Sequence, residues 1–451
     1  MSARENKSYH FSKSFQSNPR RLRDMISPPA RKLAAPGQIL NEPPSPFSTE
    51  DEVHVSFRKE LRLWGELAEK PKEQQWALKL RTDLKNEALS DFMAAVNRAT
   101  LEIGSLSVLR VLTFLLDRRW DIGFLKRSQV VALLNKQIGS VLDALPDVEE
   151  IAQTDVVRVN YQNAWSKTLP DSPHQRAILV INSLGFPAEG SQAVSRLLVQ
   201  GYQKGWRKFI TYNCRGDRFI GCGLGPNTDR VRIDVYGSSG DYLGSGMDGG
   251  QIIVHGAAQD QVGQILTAGK IVIFGDVGQT FLYGAKGGEA YVMGNAAGRP
   301  LINAVGRIRA IINGTCLDYC AESFMAGREL DDGFVIINGI TFDRQGAVIG
   351  LETKYPGNNL FSMASGGACY LNDPYRTVKT TQLNGAVFIP FRQKDWNVII
   401  DYLRFNEMLF GLSIRHDLLL VDGVLKWPKE VFRKVVASPK LKNLDWSTLP
   451  D

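Results

Sequence analysis

The sequence has 451 residues, 43% hydrophobic and 22% charged, which is enough chain for two or three domains with cores of their own. Much of its net charge of +7 comes from the first 32 residues, and no regular spacing of aromatics accompanies those cations, so binding to nucleic acid is not expected. No apolar run reaches the roughly 18–20 residues of a membrane span, no signal-peptide core opens the chain, and the five cysteines are sparse and odd in number; the expected setting is the cytoplasm, with reduced thiols.

Residues 1–52 are polar and rich in proline and read as a basic, disordered arm. Residues 53–150 carry apolar residues every three to four positions and read as a helical domain, from "FRKELRLWGELAE" through "WALKLRTDLKNEALSDFMAAVNRATL" to "SQVVALLNKQIGSVLDAL", where Ser128 is placed to cap the last helix. Residues 151–230 read as a β-α-β-β lead-in. "RAILVINSL" is a buried strand, "EGSQAVSRLLVQGYQKG" an amphipathic helix, and "WRKFITYNC" and "DRFIGCG" two further strands joined at "RGD". "GFPAEG" lacks the lysine of a P-loop and the spacing of a dinucleotide fingerprint, and is expected to be a turn.

From 231 to 375 the chain repeats itself. "RIDVYG", "QIIVHG", "IVIFG", "AYVMG", "RAIING" and "FVIING" end at Gly237, Gly256, Gly275, Gly294, Gly314 and Gly339, with spacings of 19, 19, 19, 20 and 25 residues. Two residues before each glycine stand Val235, Val254, Ile273, Val292, Ile312 and Ile337. Four before stand Ile233, Ile252, Ile271, Ala290, Ala310 and Val335. The positions between these vary. A period of two with one fixed apolar face, recurring at a near-constant interval, predicts a coil in which each turn lays its strand on the last, about 4.8 Å away. The six glycines are then structural corners, where a Cβ would strike the neighbouring turn or strain the backbone. Asp241, Asp260, Asp276, Asn295, Asn303, Gln259, Gln261 and Gln279 recur at the corners and are expected to satisfy freed backbone groups.

Residues 376–451 read as a helical C-terminal cap: "DWNVIIDYLRFNEMLFG", with Asp395 as N-cap and Gly411 as stop, then a turn and a final helix beginning near Pro428. These elements are expected to cover the open edge of the coil.

The stretches "GSSGDYLGSGMDGGQIIVHG", "GDVGQTFLYGAKGGEAYVMG" and "GTCLDYCAESFMAGREL" resemble the C-terminal GXGXG-motif domain of the glutamate synthase large subunit, and also a small subunit of formylmethanofuran dehydrogenases. The resemblance spans about residues 176–345, extending to about 373. It implies a mainly β fold, a right-handed single-stranded β-helix with glycine corners, here joined to a helical N-terminal domain and a helical C-terminal cap. In that family the domain is structural.

A complete glutamate synthase also needs a Cys-initiated amidotransferase, an FMN barrel and cluster-binding cysteines. Here position 2 is Ser2, no cysteine precedes Cys214, and no Cys-x2-Cys run occurs. The resemblance therefore implies a subunit without catalytic, cofactor or metal residues of its own. It would scaffold partner chains that carry FMN, iron–sulfur centres and the amidotransferase. A formylmethanofuran-dehydrogenase-like subunit and a free-standing β-helix binding module remain as alternatives.

Among chemistry-bearing residues, Cys316 and Cys320 are expected as buried or corner thiols, and Cys214 and Cys222 as packing partners across two strands. His255 precedes a corner glycine and is expected as an outward or corner side chain. "NGT" at 313–315 has the form of a glycosylation sequon.

Overall fold

A computed structural model describes residues 70–166, 168–226, 228–327 and 333–438. The basic arm and the helix expected at "FRKELRLWGELAE" lie outside these residues.

Four helices open the described chain: α1 (Pro71–Lys85), α2 (Leu89–Ile103), α3 (Ser105–Asp117) and α4 (Arg127–Asp143). The run "WALKLRTDLKNEALSDFMAAVNRATL" is broken between α1 and α2, where Glu87 takes a φ of 58°. Helix α4 begins one residue before Ser128, with Lys126 at the N-cap position and the Gln129 side chain accepting from its N–H at 2.8 Å. The strands follow: β1 (Val156–Val159), β2 (Ile178–Asn182), β3 (Lys208–Asp217), β4 (Arg232–Ser239), β5 (Asp248–Val254), β6 (Ala268–Ile273), β7 (Glu289–Val292), β8 (Arg309–Ile312) and β9 (Phe334–Ile337), with α5 (Val194–Gln203) crossing from β2 to β3. After a small hairpin, β10 (Ile340–Phe342) with β11 (Val348–Gly350), come β12 (Ala368–Asn372), β13 (Ala386–Ile389), helix α6 (Gln393–Phe410), the two-residue pair β14 (Leu420–Val421) and β15 (Val424–Leu425), and β16 (Phe432–Ala437).

Among the described residues one sheet of twelve strands organises the fold, in the order β1 through β9, then β12, β16 and β13. All neighbours from β1 to β12 are parallel. Register is fixed by the aliphatic columns. Ile233, Ile252, Ile271, Ala290, Ala310 and Val335 pair in series and are all buried inside the coil, as are Val235 and its equivalents. A one-residue slip would turn a whole column outward, so the strands cannot slide. A second face is a short ladder of bridges through Ser239, Ala258, Val277, Ala296 and Cys316. The protein is a β-solenoid.

The third face is not a strand. Each coil passes through an arc of alternating handedness in which every second residue has positive φ: Tyr242, Gly244 and Gly246 in one coil, Gln261, Gly263 and Ile265 in the next, then Thr280, Leu282 and Gly284. Alternation flips the amides. Tyr242 donates forward to Asp260 O at 3.0 Å, Gly244 backward to Ile220 O at 2.8 Å, and Gly246 forward to Gln264 O at 2.7 Å. Leu282, Leu301 and Phe361 hold positive φ while fully buried, a cost of about 1–2 kcal/mol each that the inter-coil bonds offset. "DRFIGCG", expected as a strand, is the first such arc, with positive φ at Phe219, Gly221 and Gly223. There is accordingly no hairpin at "RGD". Cys214 points into the coil, and Cys222 donates to Tyr242 O at 2.9 Å instead of facing Cys214.

The outer face of the sheet is covered by two helical layers. The α1–α4 group packs on Val156, Val180, Ile210, Tyr212 and Tyr236, from β1 to β4. Helix α6 packs on Ile253, Val272, Tyr291, Ile311, Ile336 and Tyr370, from β5 to β12. These are among the positions that vary between repeats, and the helices explain why they are still apolar. Helix α6 runs across the ladder: Trp396 meets Phe432 at 6.1 Å, Tyr402 meets Phe334 at 5.1 Å, Phe405 meets Tyr291 at 5.0 Å and Phe410 meets Phe274 at 5.1 Å. It stops at Gly411, whose left-handed φ of 75° suits a glycine cap. Asp395 is three residues inside its start and accepts from Arg392 N–H at 2.8 Å rather than occupying the cap itself. The final helix expected at Pro428 is a single turn, Pro428–Val431. The chain then forms β16, whose antiparallel pairing covers the edge of β12.

Candidate functional site

Between the two helical layers the outer face of the sheet is open, leaving a cleft of about 1300 Å³. Its floor is one register column, Lys208, Arg232, Gln251, Lys270, Glu289 and Arg309, contributed by β3 to β8. Phe114 of α3 and Phe405 of α6 are in its walls. Arg118, just past α3, bridges the two layers by donating to the carbonyls of Met408 (2.9 Å) and Leu409, at the helix end where a cation is favoured. Lys270 pairs with Glu289 at 2.7 Å, and Arg232 grips Asp234 at 2.8 and 2.9 Å. Lys208 has no ion pair among the described residues and is exposed.

His255 lies at the junction. It is 5% exposed and outward from the coil, beneath α3. Its Nδ1 meets the Asp117 carboxylate at 2.8 and 3.0 Å, and its Nε2 lies 3.4 Å from Asp234 Oδ1. Parallel register stacks equivalent positions, so the imidazole is sandwiched between Tyr236 (4.4 Å) and Phe274 (5.7 Å). Burial pulls the imidazole toward neutrality, but the charge and hydrogen bond of Asp117, with Asp234, outweigh it and hold its pKa up at about 9. Burial likewise opposes ionisation of Asp234, and the hydrogen bonds and charges of His255 and Arg232 overcome it, giving about 2. An imidazolium with both nitrogens engaged has no lone pair for a general base; this group is an ionic pin joining α3 to β4 and β5. The residue before each corner glycine is the only sequence signal pointing here, because Asp117 is 138 residues away.

At the six corners, a Cβ on Gly256 would lie 2.1 Å from Gly237 O, on Gly275 2.8 Å from Gly256 O, and on Gly314 2.3 Å from Asn295 Oδ1. On Gly294 it would lie 2.1 Å from Asp276 Oδ1 and 2.8 Å from Gly275 O. Only Gly237 and Gly339 of the six have positive φ, at 108° and 59°; at the other four the constraint is stacking alone. Side chains beside the corners bond the next coil's backbone: Asp241 accepts from Asp260 N–H at 3.1 Å, Asp260 from Gln279 at 2.7 Å, Asp276 from Asn295 at 2.7 Å and Asn295 from Thr315 at 3.0 Å.

Residues 193–389, which hold these corners and arcs, match the family model described as the GXGXG motif. The segment belongs to the GXGXG motif family. No curated protein matches the chain.

Three more thiols lie inside the GXGXG coil. Cys316 is on the bridge ladder, Cys320 in an arc and Cys369 in β12, all fully buried, and "CLDYC" is not helical. Burial, reinforced by Cys320, pushes the Cys316 thiol up. Among the described residues no group of three or more His, Cys, Asp or Glu is placed to hold a metal, and all five cysteines are free thiols.

Two polar features that the sequence pattern does not reveal stand near the coil's last turns. Asn313, the sequon asparagine, is wholly buried, accepts from the Asn338 amide at 2.8 Å and exchanges amide hydrogen bonds with Asn406 of α6 at 2.9 Å. Lys354 is 5% exposed, donates to Gly339 O at 2.9 Å, and is lowered by burial to about 8.

Proposed function

We propose that this chain is a non-catalytic, structural subunit of a glutamate-synthase-like complex, scaffolding partner chains that carry FMN, iron–sulfur centres and the amidotransferase. The observation that carries the reading is the GXGXG match over residues 193–389, in a coil whose corner side chains bond their own backbone instead of converging on a pocket. His255, the imidazole at the edge of the cleft, is fully engaged as a pin. The two helical layers add rigid surface on one side of the sheet, leaving the arc and bridge faces as docking faces.

Co-expression of the full chain with an FMN-barrel chain and a Cys-initiated amidotransferase chain from the same genome tests this. The expected result is one co-migrating assembly with flavin absorbance, while the chain alone is colourless and does not hydrolyse glutamine. Migration of the chain alone, at micromolar concentrations of all three, overturns the scaffold role. Turnover of glutamine by the isolated chain overturns the non-catalytic assignment.

A further inference from the structure

An asparagine followed by glycine is the peptide step most open to attack by its own backbone. Glycine has no Cβ to block the approach, so its nitrogen can reach the asparagine Cγ and expel the side-chain amide. The sequence holds three such steps, Asn313–Gly314, Asn338–Gly339 and Asn384–Gly385. The fold treats them differently.

Asn313 and Asn338 follow β8 and β9 and are wholly buried. The Asn313 amide is held at both ends: Nδ2 donates to Val292 O at 3.0 Å and to Asn406 Oδ1 at 2.9 Å, and Oδ1 accepts from Asn338 and Asn406. The attacking nitrogens are held as well, since Gly314 N–H donates to Gly294 O and Gly339 N–H to Gly314 O, each at 2.9 Å. Asn384 stands at the other extreme. It is exposed, just before β13, the strand at the end of the sheet. Its Nδ2 donates to Asn359 Oδ1 at 3.0 Å on the surface, and no hydrogen bond from the Gly385 N–H is found among the described residues. Gly385 has a φ of 72°, in the left-handed region that glycine enters without steric cost.

We propose that Asn384 is a site of spontaneous deamidation, with water as co-reactant and isoaspartate among its products. The Gly385 nitrogen gives its proton to water and bonds to Asn384 Cγ, the Cγ–Nδ2 bond breaks, and Nδ2 leaves as ammonia. The cyclic imide so formed takes up one water. Opening at Cγ gives aspartate, and opening at the main-chain carbonyl gives isoaspartate; water is consumed, ammonia is released and nothing is oxidised or reduced. The position makes the change consequential. Leu383 bridges to Leu360 on one side and Ala386 pairs with Ala437 on the other, so the extra main-chain methylene of isoaspartate must shift one of these pairings. The new carboxylate also loses the bond that the amide donates to Asn359. This goes beyond the scaffold role and does not depend on it.

Ageing the full chain for days in mildly alkaline ¹⁸O-water at physiological temperature, folded and in parallel unfolded in urea, tests the proposal. Tryptic peptides are read by mass spectrometry, and incorporated ¹⁸O separates ageing from handling. In the folded protein Asn384 is expected to deamidate at least about ten-fold faster than Asn313 or Asn338, whose reaction must wait for a local opening that breaks several hydrogen bonds. In urea the three rates should converge. An isoaspartate-directed methyltransferase with labelled S-adenosylmethionine should then mark the aged folded protein on the Asn384 peptide, and Asn384→Gln should abolish that mark. Equal rates at the three steps in the folded protein overturn the proposal. So does an Asn384 that reacts no faster than the exposed Asn397, which precedes the β-branched Val398. A preference for Asn384 as large in urea as in the folded protein overturns it too, because the fold would then not be what selects the site.

Discussion

The stacking argument at the corners makes its sharpest prediction at Gly294. A Cβ there would lie 2.1 Å from Asp276 Oδ1 and 2.8 Å from Gly275 O, so Gly294→Ala must move a carboxylate that accepts from Asn295 N–H at 2.7 Å. Displacing a backbone atom in a packed layer costs about 1–3 kcal/mol, and weakening this solvent-exposed hydrogen bond adds about 0.5–1 kcal/mol. The expected loss is about 1.5–4 kcal/mol. Gly298, four residues on, is the matched control: its φ is not positive, and its nearest neighbour would be Asp318 O at 4.0 Å. Gly298→Ala is therefore expected to change stability by less than about 1 kcal/mol, and in the stabilising direction, because alanine restricts the unfolded chain. Urea unfolding of both variants at one pH, followed by circular dichroism, gives the comparison. If the two differ by less than about 0.5 kcal/mol, collision at the corner is not what glycine is there for.

The His255 pin predicts a pH signature. Its folded pKa is raised from 6.5 to about 9, so the stabilisation is complete below pH 6.5 and disappears as pH rises through 9. The full effect is worth about 3 kcal/mol. The stability difference between the protein and His255→Gln should narrow by that order from pH 6 to pH 9.5 in urea titrations, and a flat difference would show that the ring is not ionised. Lys354 has the opposite sense. Burial lowers its pKa from 10.5 to about 8, so the folded state is disfavoured below pH 8 and gains stability as pH rises from 8 toward 10.5. Lys354→Met should therefore raise the urea midpoint at pH 7, and a lower midpoint would mean that its bond to Gly339 O outweighs the desolvation.

How much of this is legible in the sequence depends on how far apart the interacting residues are. The aliphatic columns are readable because Ile233, Ile252 and Ile271 recur at one interval, and that interval is the coil. The arcs mislead for a physical reason. Alternating φ signs throw successive side chains to opposite sides, just as a strand does, so "DRFIGCG" has a strand's period with none of its hydrogen bonding. The end of the chain misleads in the other direction: β16 is buried on both faces by Val435 inside the coil and Phe432 under α6, so its pattern shows no clean alternation. The cleft is invisible in the sequence, since its walls come from α3 and α6, nearly 300 residues apart, as the Arg118–Met408 bond across 290 residues shows. The corner carboxylates are the easy case, because each bonds the coil directly beside it.

A repeating coil has no internal reason to stop: any turn can accept another. Helix α6 supplies the count. Its 18 residues measure about 27 Å at the usual rise, and the six parallel strands it crosses, β5 to β9 and β12, span about 24 Å. An extra turn would leave a rung uncovered, and a missing one would leave part of the helix with nothing beneath it. The size of this solenoid is thus measured against a rod of fixed length, folded from the chain that follows it.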